Sequence, residues 1–292
     1  MAEREASKTA IGVAMLRAVH QLFDGQPRIL DDPVVLRLLS PEMQERVRAG
    51  VAEFDGPRSR ARRVHVLLRS RLAEERLAAA VKRGVTQFVA LGAGLDTFAF
   101  RQPPWAAALR IFEVDHPASQ ALKRERLTLA GIAIPSNLTF APIDFEHDTL
   151  QSGLERAGFD PAAKTLVSCL GVLVYLSGDA IADLFAFIAR LPAGSECVFT
   201  HGGTRGPDEP GRPSIATMAA ALGEPWQSSM EFEDMVAVLS RAGLPEPTKP
   251  TAAELSAWLG DRTDGLERPR RDRIAAVVVG TAMPGGRSLD EA

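Results

Sequence analysis

The sequence predicts an α/β protein built on a doubly wound, mostly parallel β-sheet. Three observations support this prediction. Short, continuous apolar runs recur after residue 86, helical patterns separate them, and most of the runs stop at a glycine or a carboxylate. Strands that are apolar throughout are buried on both faces, which is typical of a parallel sheet covered by helices on each side. We therefore predict one layered domain across all 292 residues.

The composition limits the class of protein. Hydrophobic residues make up 46% of the chain and charged residues 24%, and the net charge is −3, which is ordinary for a soluble globular protein. A dedicated nucleic-acid binder is usually basic, so the charge balance disfavours that class. Two cysteines, Cys169 and Cys197, are too few for a disulfide scaffold or a four-sulfur zinc site, and we expect no metal.

The sequence also predicts a soluble, cytoplasmic protein that does not contact membranes. The longest apolar run, 274–283, is about half of the roughly 20 residues that a membrane-spanning helix needs. No apolar segment typical of a signal peptide follows the first residues.

The first 81 residues contain helical patterns and no strand pattern. A short helix is expected to begin at Pro33 and to end by Pro41. A longer helix ends near Gly84, and its apolar residues recur at helical spacing at Val64, Leu67, Leu68 and Leu72. We expect these helices to form a cap on the sheet.

Six apolar runs form the predicted sheet. They are Gln87–Leu91, Leu109–Val114, Leu138–Ile143, Thr165–Leu170, Ser195–Thr200 and Ile274–Thr281. Helices are expected from Pro117 to Gly131, after the N-cap residue Ser177, and over Phe232–Ala242. The predicted parts of the domain are a helical cap at 1–81, a core at 82–201, a lid over the substrate at 202–262, a final strand region at 263–283 and a disordered tail at 284–292.

Glycines and carboxylates follow the first three predicted strands. Gly92 and Gly94 allow a tight turn and a close approach of the backbone to a ligand. Asp115 can accept both hydroxyls of a ribose, and Asp144 and Phe145 can bind the amine of an adenine and cover its ring. Because parallel sheets bind ligands beyond the carboxyl ends of their strands, these residues predict an adenosine pocket.

The glycine loop favours S-adenosylmethionine over a dinucleotide. A dinucleotide-binding loop has a third glycine, which lets a helix N-terminus hold the pyrophosphate. Here Thr97 occupies that position, and Asp96 would place a negative charge beside the phosphates. S-adenosylmethionine has no pyrophosphate, and its ammonium group tolerates a nearby acid.

Several motifs in order resemble the leucine carboxyl methyltransferase-like family, whose bacterial members include polyketide carboxyl O-methyltransferases. The resemblance spans about residues 60–200 and rests on Leu68–Arg71, Val89–Arg101, Phe112–Pro117, Ile143–Phe145 and Gly171–Leu176. It implies a class I methyltransferase, Rossmann-like fold with an N-terminal helical extension and a helical lid insertion. It also implies that Arg69 pairs with the carboxylate of the cofactor's methionine, beside Gly92 and Gly94.

Two positions depart from the pattern of the family. Leu170 stands where many relatives have glutamate, so a contact to the cofactor is missing or replaced. Phe98 stands where many relatives have arginine. The departure at Leu170 keeps open the alternative of a cofactor-binding protein without transfer activity. A nucleotide-dependent oxidoreductase is a further alternative, which rests on the glycine pair alone.

The resemblance predicts an O-methyltransferase, and a carboxylate on a small molecule is the expected acceptor. A carboxylate is ionised at neutral pH and needs no general base, and no Ser-His-Asp set is found in the sequence. No catalytic residue is identified. Substrate-side candidates are Tyr175 after the fourth strand, His201 after the fifth strand, and Arg101, for which a structural ion pair is the alternative.

An arginine-rich stretch precedes the glycine loop. Apart from Arg69, we interpret most of its members as a solvated helix face; they are Arg58, Arg60, Arg62, Arg63 and Arg71. A phosphate-binding patch is the alternative interpretation, although one short basic run in an acidic chain is weak support for it.

Overall fold

The computed structural model describes residues 7–145, 147–202, 214–261, 266 and 273–280, apart from the side chains of residues 51 and 52. Its centre is a sheet whose described strands are β1 (Gln87–Leu91), β2 (Arg110–Asp115), β3 (Leu138–Pro142), β4 (Thr165–Cys169), β5 (Glu196–Thr200) and β6 (Ile274–Val278). The strand order is β3-β2-β1-β4-β5-β6. Strands β1 to β5 are parallel, and β6 runs antiparallel to β5. This arrangement confirms the predicted fold class.

Each predicted strand is present. β1 has the predicted bounds, and the other strands begin or end one residue away, except that β6 ends at Val278. Thr281, to which the prediction extended β6, lies outside the described residues, as do the predicted tail 284–292, residues 203–213 and most of 263–272.

The described helices cover the sheet and extend from it. They are α1 (Lys8–Phe23), α2 (Pro41–Ala49), α3 (Val51–Phe54), α4 (Pro57–Lys82), α5 (Pro117–Leu129), α6 (Leu150–Arg156), α7 (Gly178–Ala189), α8 (Ile215–Ala221), α9 (Phe232–Arg241) and α10 (Ala252–Leu259). Ser177 caps α7 as predicted, because its side chain accepts a hydrogen bond from the backbone N–H of Ala180. The segment 202–262 contributes α8, α9 and α10.

Successive residues of each strand pack on opposite faces of the sheet. In β1, Phe88 and Ala90 pack with α4 and α10, whereas Val89 and Leu91 pack with α6, α7 and α9. The strands are therefore apolar throughout because both faces are covered, as the sequence predicts.

The N-terminal cap has a core of its own. Apolar residues of α1 and α2 pack there with Val66 of α4 and with Leu95 of the loop after β1. The short helix predicted from Pro33 is a single 3-10 turn, Val35–Leu38. The buried carboxylate of Asp32 accepts the N–H of Val35 at 3.2 Å and so fixes the start of this turn.

A buried ionic network joins this cap to the sheet. The guanidinium of Arg17 in α1 contacts Asp32 at 2.6 Å and donates to the hydroxyl of Thr97, after β1, at 2.8 Å. Arg101 donates to the same hydroxyl at 3.0 Å and pairs with Glu74 of α4. Because Arg17 and Asp32 are almost fully buried, the free energy of each charge depends on its partner.

We predict that Arg17→Met lowers the free energy of unfolding by about 3–5 kcal/mol, because it leaves the carboxylate of Asp32 buried without its nearest cation. Urea denaturation followed by circular dichroism measures the change. The control is Arg46→Met, which removes an exposed pair with Glu53 and is expected to cost less than about 1 kcal/mol. Similar losses in both variants would contradict this role for the network.

A second buried ion pair joins β2 to α5. Glu113 of β2 contacts the ammonium group of Lys123 in α5 at 2.5 Å, and both side chains are almost fully buried. Desolvation raises the pKa of Glu113 to about 7, and Asp96 and Asp115 add to the rise, whereas Lys123 opposes it. The folded protein therefore holds a proton at Glu113 more tightly than the unfolded chain does.

This pKa gives a pH dependence with a definite sign. The ordinary pKa of Glu113 is 4.5, so its favourable contribution is complete below that pH and is lost as the pH rises towards about 7. We expect the free energy of unfolding of the wild type, minus that of Glu113→Gln/Lys123→Met, to fall across this range. The double variant removes both charges and leaves no unpaired lysine. A difference that stays constant or rises with pH, measured by urea denaturation, would refute the assignment.

Candidate functional site

The loops after β1 and β4 meet at the carboxyl edge of the sheet. Gly92 and Gly94 have φ angles of +63° and +46°, a region that favours glycine. A Cβ atom added at Gly92 would lie 2.3 Å from Val172 of the loop after β4, and one at Gly94 would lie 2.9 Å from Ala10 of α1. Both positions therefore require glycine, and part of the reason is that the neighbouring loop and α1 pack directly on their backbone.

Asp115, the last residue of β2, binds the glycine loop. Its Oδ2 atom accepts the N–H of Gly94 at 2.5 Å, and its Oδ1 atom accepts the N–H of His116 at 2.7 Å. Desolvation raises the pKa of Asp115, and these two hydrogen bonds oppose the rise. Each oxygen retains a lone pair for a further donor, such as a ribose hydroxyl. The N-cap of α5 is His116, whose ring accepts the N–H of Ala118.

Asp144 and Phe145 follow β3, next to Asp115. The two strands are in register at their ends, where Asp115 lies opposite Pro142. The carboxylate of Asp144 is half-buried and lies 3.9 Å from Nε2 of His116, and the ring of Phe145 is 45% exposed. An acceptor and an uncovered aromatic face therefore lie at the edge of the sheet beside the ribose-binding candidate.

Arg69 of α4 lies at the other side of the glycine loop. A Cβ atom added at Gly171, after β4, would lie 2.6 Å from the guanidinium of Arg69, so the guanidinium rests on the bare backbone there. Desolvation, together with Arg17, lowers the pKa of Arg69 to about 10, and Tyr175 and Asp96 partly oppose this effect. In the part of the chain that the structure describes, no carboxylate forms an ion pair with Arg69.

The N-terminus of α1 and the segment after α8 are joined above these loops. The carboxylate of Glu224 accepts the backbone N–H groups of Lys8 at 2.6 Å and Thr9 at 3.3 Å. It also accepts the hydroxyl of Ser7 at 3.0 Å and that of Thr9. The hydroxyl of Tyr175 lies 3.4 Å from the hydroxyl of Thr9. Glu224 therefore connects the segment 202–262 to the cap, beside a substrate-side candidate.

The other two substrate-side candidates have structural contacts. Arg101 is mostly buried in the ionic network with Glu74 and Asp32. His201 is buried after β5, where its ring packs against Phe232 with the centroids 5.8 Å apart. Tyr175 lies in a 3-10 turn of the loop after β4, and it acts on the pKa of Arg69.

Some residues of this region could not be inferred from the sequence. Thr200, at the end of β5, accepts the N–H of Gly171 at 2.6 Å and so holds the loop on which Arg69 rests. Thr9, Arg17 and Glu224 lie far from this loop in the sequence, and no motif marks them. Leu170, the predicted departure from the family pattern, packs against the apolar core that contains Phe88 and Ala90.

Arg63 is an exception within the arginine-rich stretch. It does not belong to a solvated helix face but is almost fully buried, and its guanidinium binds Asp24 at 2.7 and 2.8 Å.

Among the described residues, no group of three His, Cys, Asp or Glu side chains is placed to hold a metal ion. Every helix in the described ranges is too short or too polar to span a membrane.

Comparison with known proteins assigns the family. The family model described as leucine carboxyl methyltransferase matches residues 10–189. A candidate S-adenosyl-L-methionine-dependent methyltransferase of Bacillus subtilis, YktD, is 32% identical over 84% of this chain and 88% of its own length. A relative from Frankia alni, named in the same way, is 32% identical over 80% of this chain and 81% of its own.

Solved structures support the fold. A methyltransferase candidate from Thermobifida fusca has a TM-score of 0.55 at 18% identity and covers 94% of this chain and 95% of its own. A protein of the DUF574 family from Streptomyces avermitilis has a TM-score of 0.55 at 20% identity and covers 92% and 97%. The protein belongs to the leucine carboxyl methyltransferase family and is an S-adenosyl-L-methionine-dependent methyltransferase.

Proposed function

We propose that this enzyme transfers the methyl group of S-adenosyl-L-methionine to a carboxylate oxygen of a small molecule. The acceptor class is supported by the matched family model, which is described as leucine carboxyl methyltransferase. The observation that carries the cofactor site is the guanidinium of Arg69, which is desolvated at the carboxyl end of β4 and forms no ion pair among the described residues. An unpaired, partly desolvated cation is unfavourable unless an anion binds beside it. The excess positive charge favours anionic ligands at this end of the pocket.

The residues fit the cofactor in polarity from one end to the other. Arg69 would pair with the methionine carboxylate, which is a charge-assisted hydrogen bond. Gly92 and Gly94 would line that end through their backbone. Asp115 would accept the ribose hydroxyls with the lone pairs that Gly94 and His116 leave free.

The adenine end fits in the same way. Asp144 would accept the exocyclic amine of the base, and the exposed ring of Phe145 would cover the ring of the adenine. Positive charge would thus meet the carboxylate of the cofactor, and negative charge would meet its hydroxyls and amine.

The bound cofactor supplies an activated methyl group on a sulfonium centre. Its transfer to a carboxylate oxygen would remove the positive charge of the sulfonium and the negative charge of the carboxylate together. This chain would hold and align the reactants and exclude water. A carboxylate with a pKa near 4 is already ionised at neutral pH, so no residue must remove a proton. Tyr175 would border the acceptor.

We predict that S-adenosyl-L-homocysteine raises the melting temperature of the wild type and that Asp115→Ala abolishes the shift, because a ligand that binds only the native state stabilises it.

Arg69→Gln should weaken the binding of S-adenosyl-L-homocysteine about 10- to 100-fold, measured by isothermal titration, through loss of a charge-assisted hydrogen bond. Arg71→Gln, which removes an exposed pair with Glu75, is the control. Undiminished affinity in the Arg69 variant would refute its role.

The class of acceptor has its own test. The enzyme is incubated with methyl-labelled cofactor and a panel of carboxylic acids and phenols, and the products are treated with mild base. Methyl esters release labelled methanol under these conditions, whereas methyl ethers do not. We expect base-labile product. Products that resist base, or cofactor binding without transfer to any acid, would overturn the proposal of carboxylate methylation.

We also propose that residues 202–262 act as a lid and that Glu224 holds this lid against the cap. Glu224→Ala removes the acceptor of two backbone N–H groups at the start of α1, so we expect faster hydrogen exchange at residues 8–9 and in α8. Mass spectrometry measures the exchange of peptides from both segments. The exposed Glu246→Ala is the control, and an unchanged exchange pattern in the Glu224 variant would refute the contact's role.

A further inference from the structure

Helix α4 continues past the carboxyl edge of the sheet. Near its C-terminal end, Arg76 and Arg83 contact Glu196, the first residue of β5, at the opposite edge. Arg69 lies against Gly171, after the last residue of β4. The helix therefore runs antiparallel to the strands, and its part before Arg69 extends beyond the carboxyl edge of the sheet.

Arg62 lies on the same face of α4 as Arg69. Seven residues separate the two, which is nearly two helical turns. Arg62 therefore lies about 10 Å farther along the helix axis, beyond the carboxyl edge of the sheet. Arg58 is a further four residues towards the N-terminus and falls on the same face. Arg63 points elsewhere, towards Asp24 in the cap. The face that carries Arg69 therefore forms a basic stripe that leads outward from the pocket.

Arg62 differs from several other arginines of α4 in that no carboxylate among the described residues pairs with it. Arg60, Arg63 and Arg71 each pair with a carboxylate, at Asp55, Asp24 and Glu75. The half-buried Arg62 has no ion pair among the residues that the structure describes, and its Nε atom is buried without a hydrogen-bond partner. Desolvation, with Arg58 nearby, lowers its pKa. Such a group stabilises the protein only when an anion binds to it.

We propose that Arg62 binds a second anionic group of the acceptor, at the end remote from the carboxylate that is methylated. The preferred acceptor is then a small molecule with an anionic group at each end, the second group being a carboxylate or a phosphate. This inference rests on the proposed function, because it takes the pocket beside Arg69 as the place of methyl transfer.

The test is isothermal titration of the complex with S-adenosyl-L-homocysteine. The ligands are dicarboxylic acids from butanedioic to decanedioic acid, the monocarboxylic acids of the same lengths, and phosphonocarboxylic acids of matched length. We expect one diacid to bind about tenfold more tightly than its monoacid, the gain of a charge-assisted hydrogen bond. A still tighter phosphonate would identify the second group as a phosphate rather than a carboxylate.

Matched variants assign this preference to Arg62. Arg62→Gln is expected to reduce diacid affinity to that of the monoacid without changing monoacid affinity, and Arg62→Lys should retain part of the preference. Arg71→Gln should behave as the wild type, and thermal melting verifies that each variant is folded. Equal binding of diacids and monoacids by the wild type, or a preference that survives in Arg62→Gln, would overturn the inference.

The two proposals fail in different ways. If S-adenosyl-L-homocysteine binds and diacids have no advantage, only the assignment to Arg62 is wrong. If S-adenosyl-L-homocysteine does not bind to the folded protein, the cofactor site of the proposed function is wrong, and the inference falls with it.

Discussion

The buried ionic network is the constraint on which the geometry of the pocket depends. Arg17 comes from the first helix, Asp32 from the segment that follows it, and Arg101 and Thr97 from the loop after β1. A buried charge is tolerated only when its partners are all in place. The relative positions of α1, α4 and this loop are therefore coupled, and the cap cannot shift without leaving a carboxylate or a guanidinium unpaired in the interior.

The network also determines which charges remain for ligands. Asp96 stands next to the glycine loop, but Arg17 lies 3.3 Å from its carboxylate and lowers its pKa. The acid that follows the glycines is thereby neutralised within the protein. The carboxylate of Asp115 on one side of the loop and the guanidinium of Arg69 on the other are left. In the proposed cofactor site, these two groups would form a negative end and a positive end.

The sequence predicts the sheet well because each strand is buried on both faces and is therefore a continuous apolar run in the sequence. It also predicts that Asp115 and Asp144 lie together, since the carboxyl ends of neighbouring parallel strands meet at one edge. The cap could not be predicted in the same way. Contacts such as Glu224 with Thr9 join residues more than 200 positions apart and leave no periodic signal. The sequence does not distinguish Arg63 from the neighbouring arginines, and only the packing of α1 against α4 reveals its partner, Asp24.

Leu170 shows how one departure from a family pattern changes the charge of a site. It adjoins Gly171, on which the guanidinium of Arg69 rests, and its side chain packs against the apolar core. A glutamate there would place a carboxylate in this region and offset part of the positive charge of Arg69. With leucine, the described residues provide no carboxylate that pairs with Arg69, so its charge is left for a ligand. Leucine at this position therefore leaves more positive charge at the end of the pocket where we propose that the methionine carboxylate of the cofactor binds.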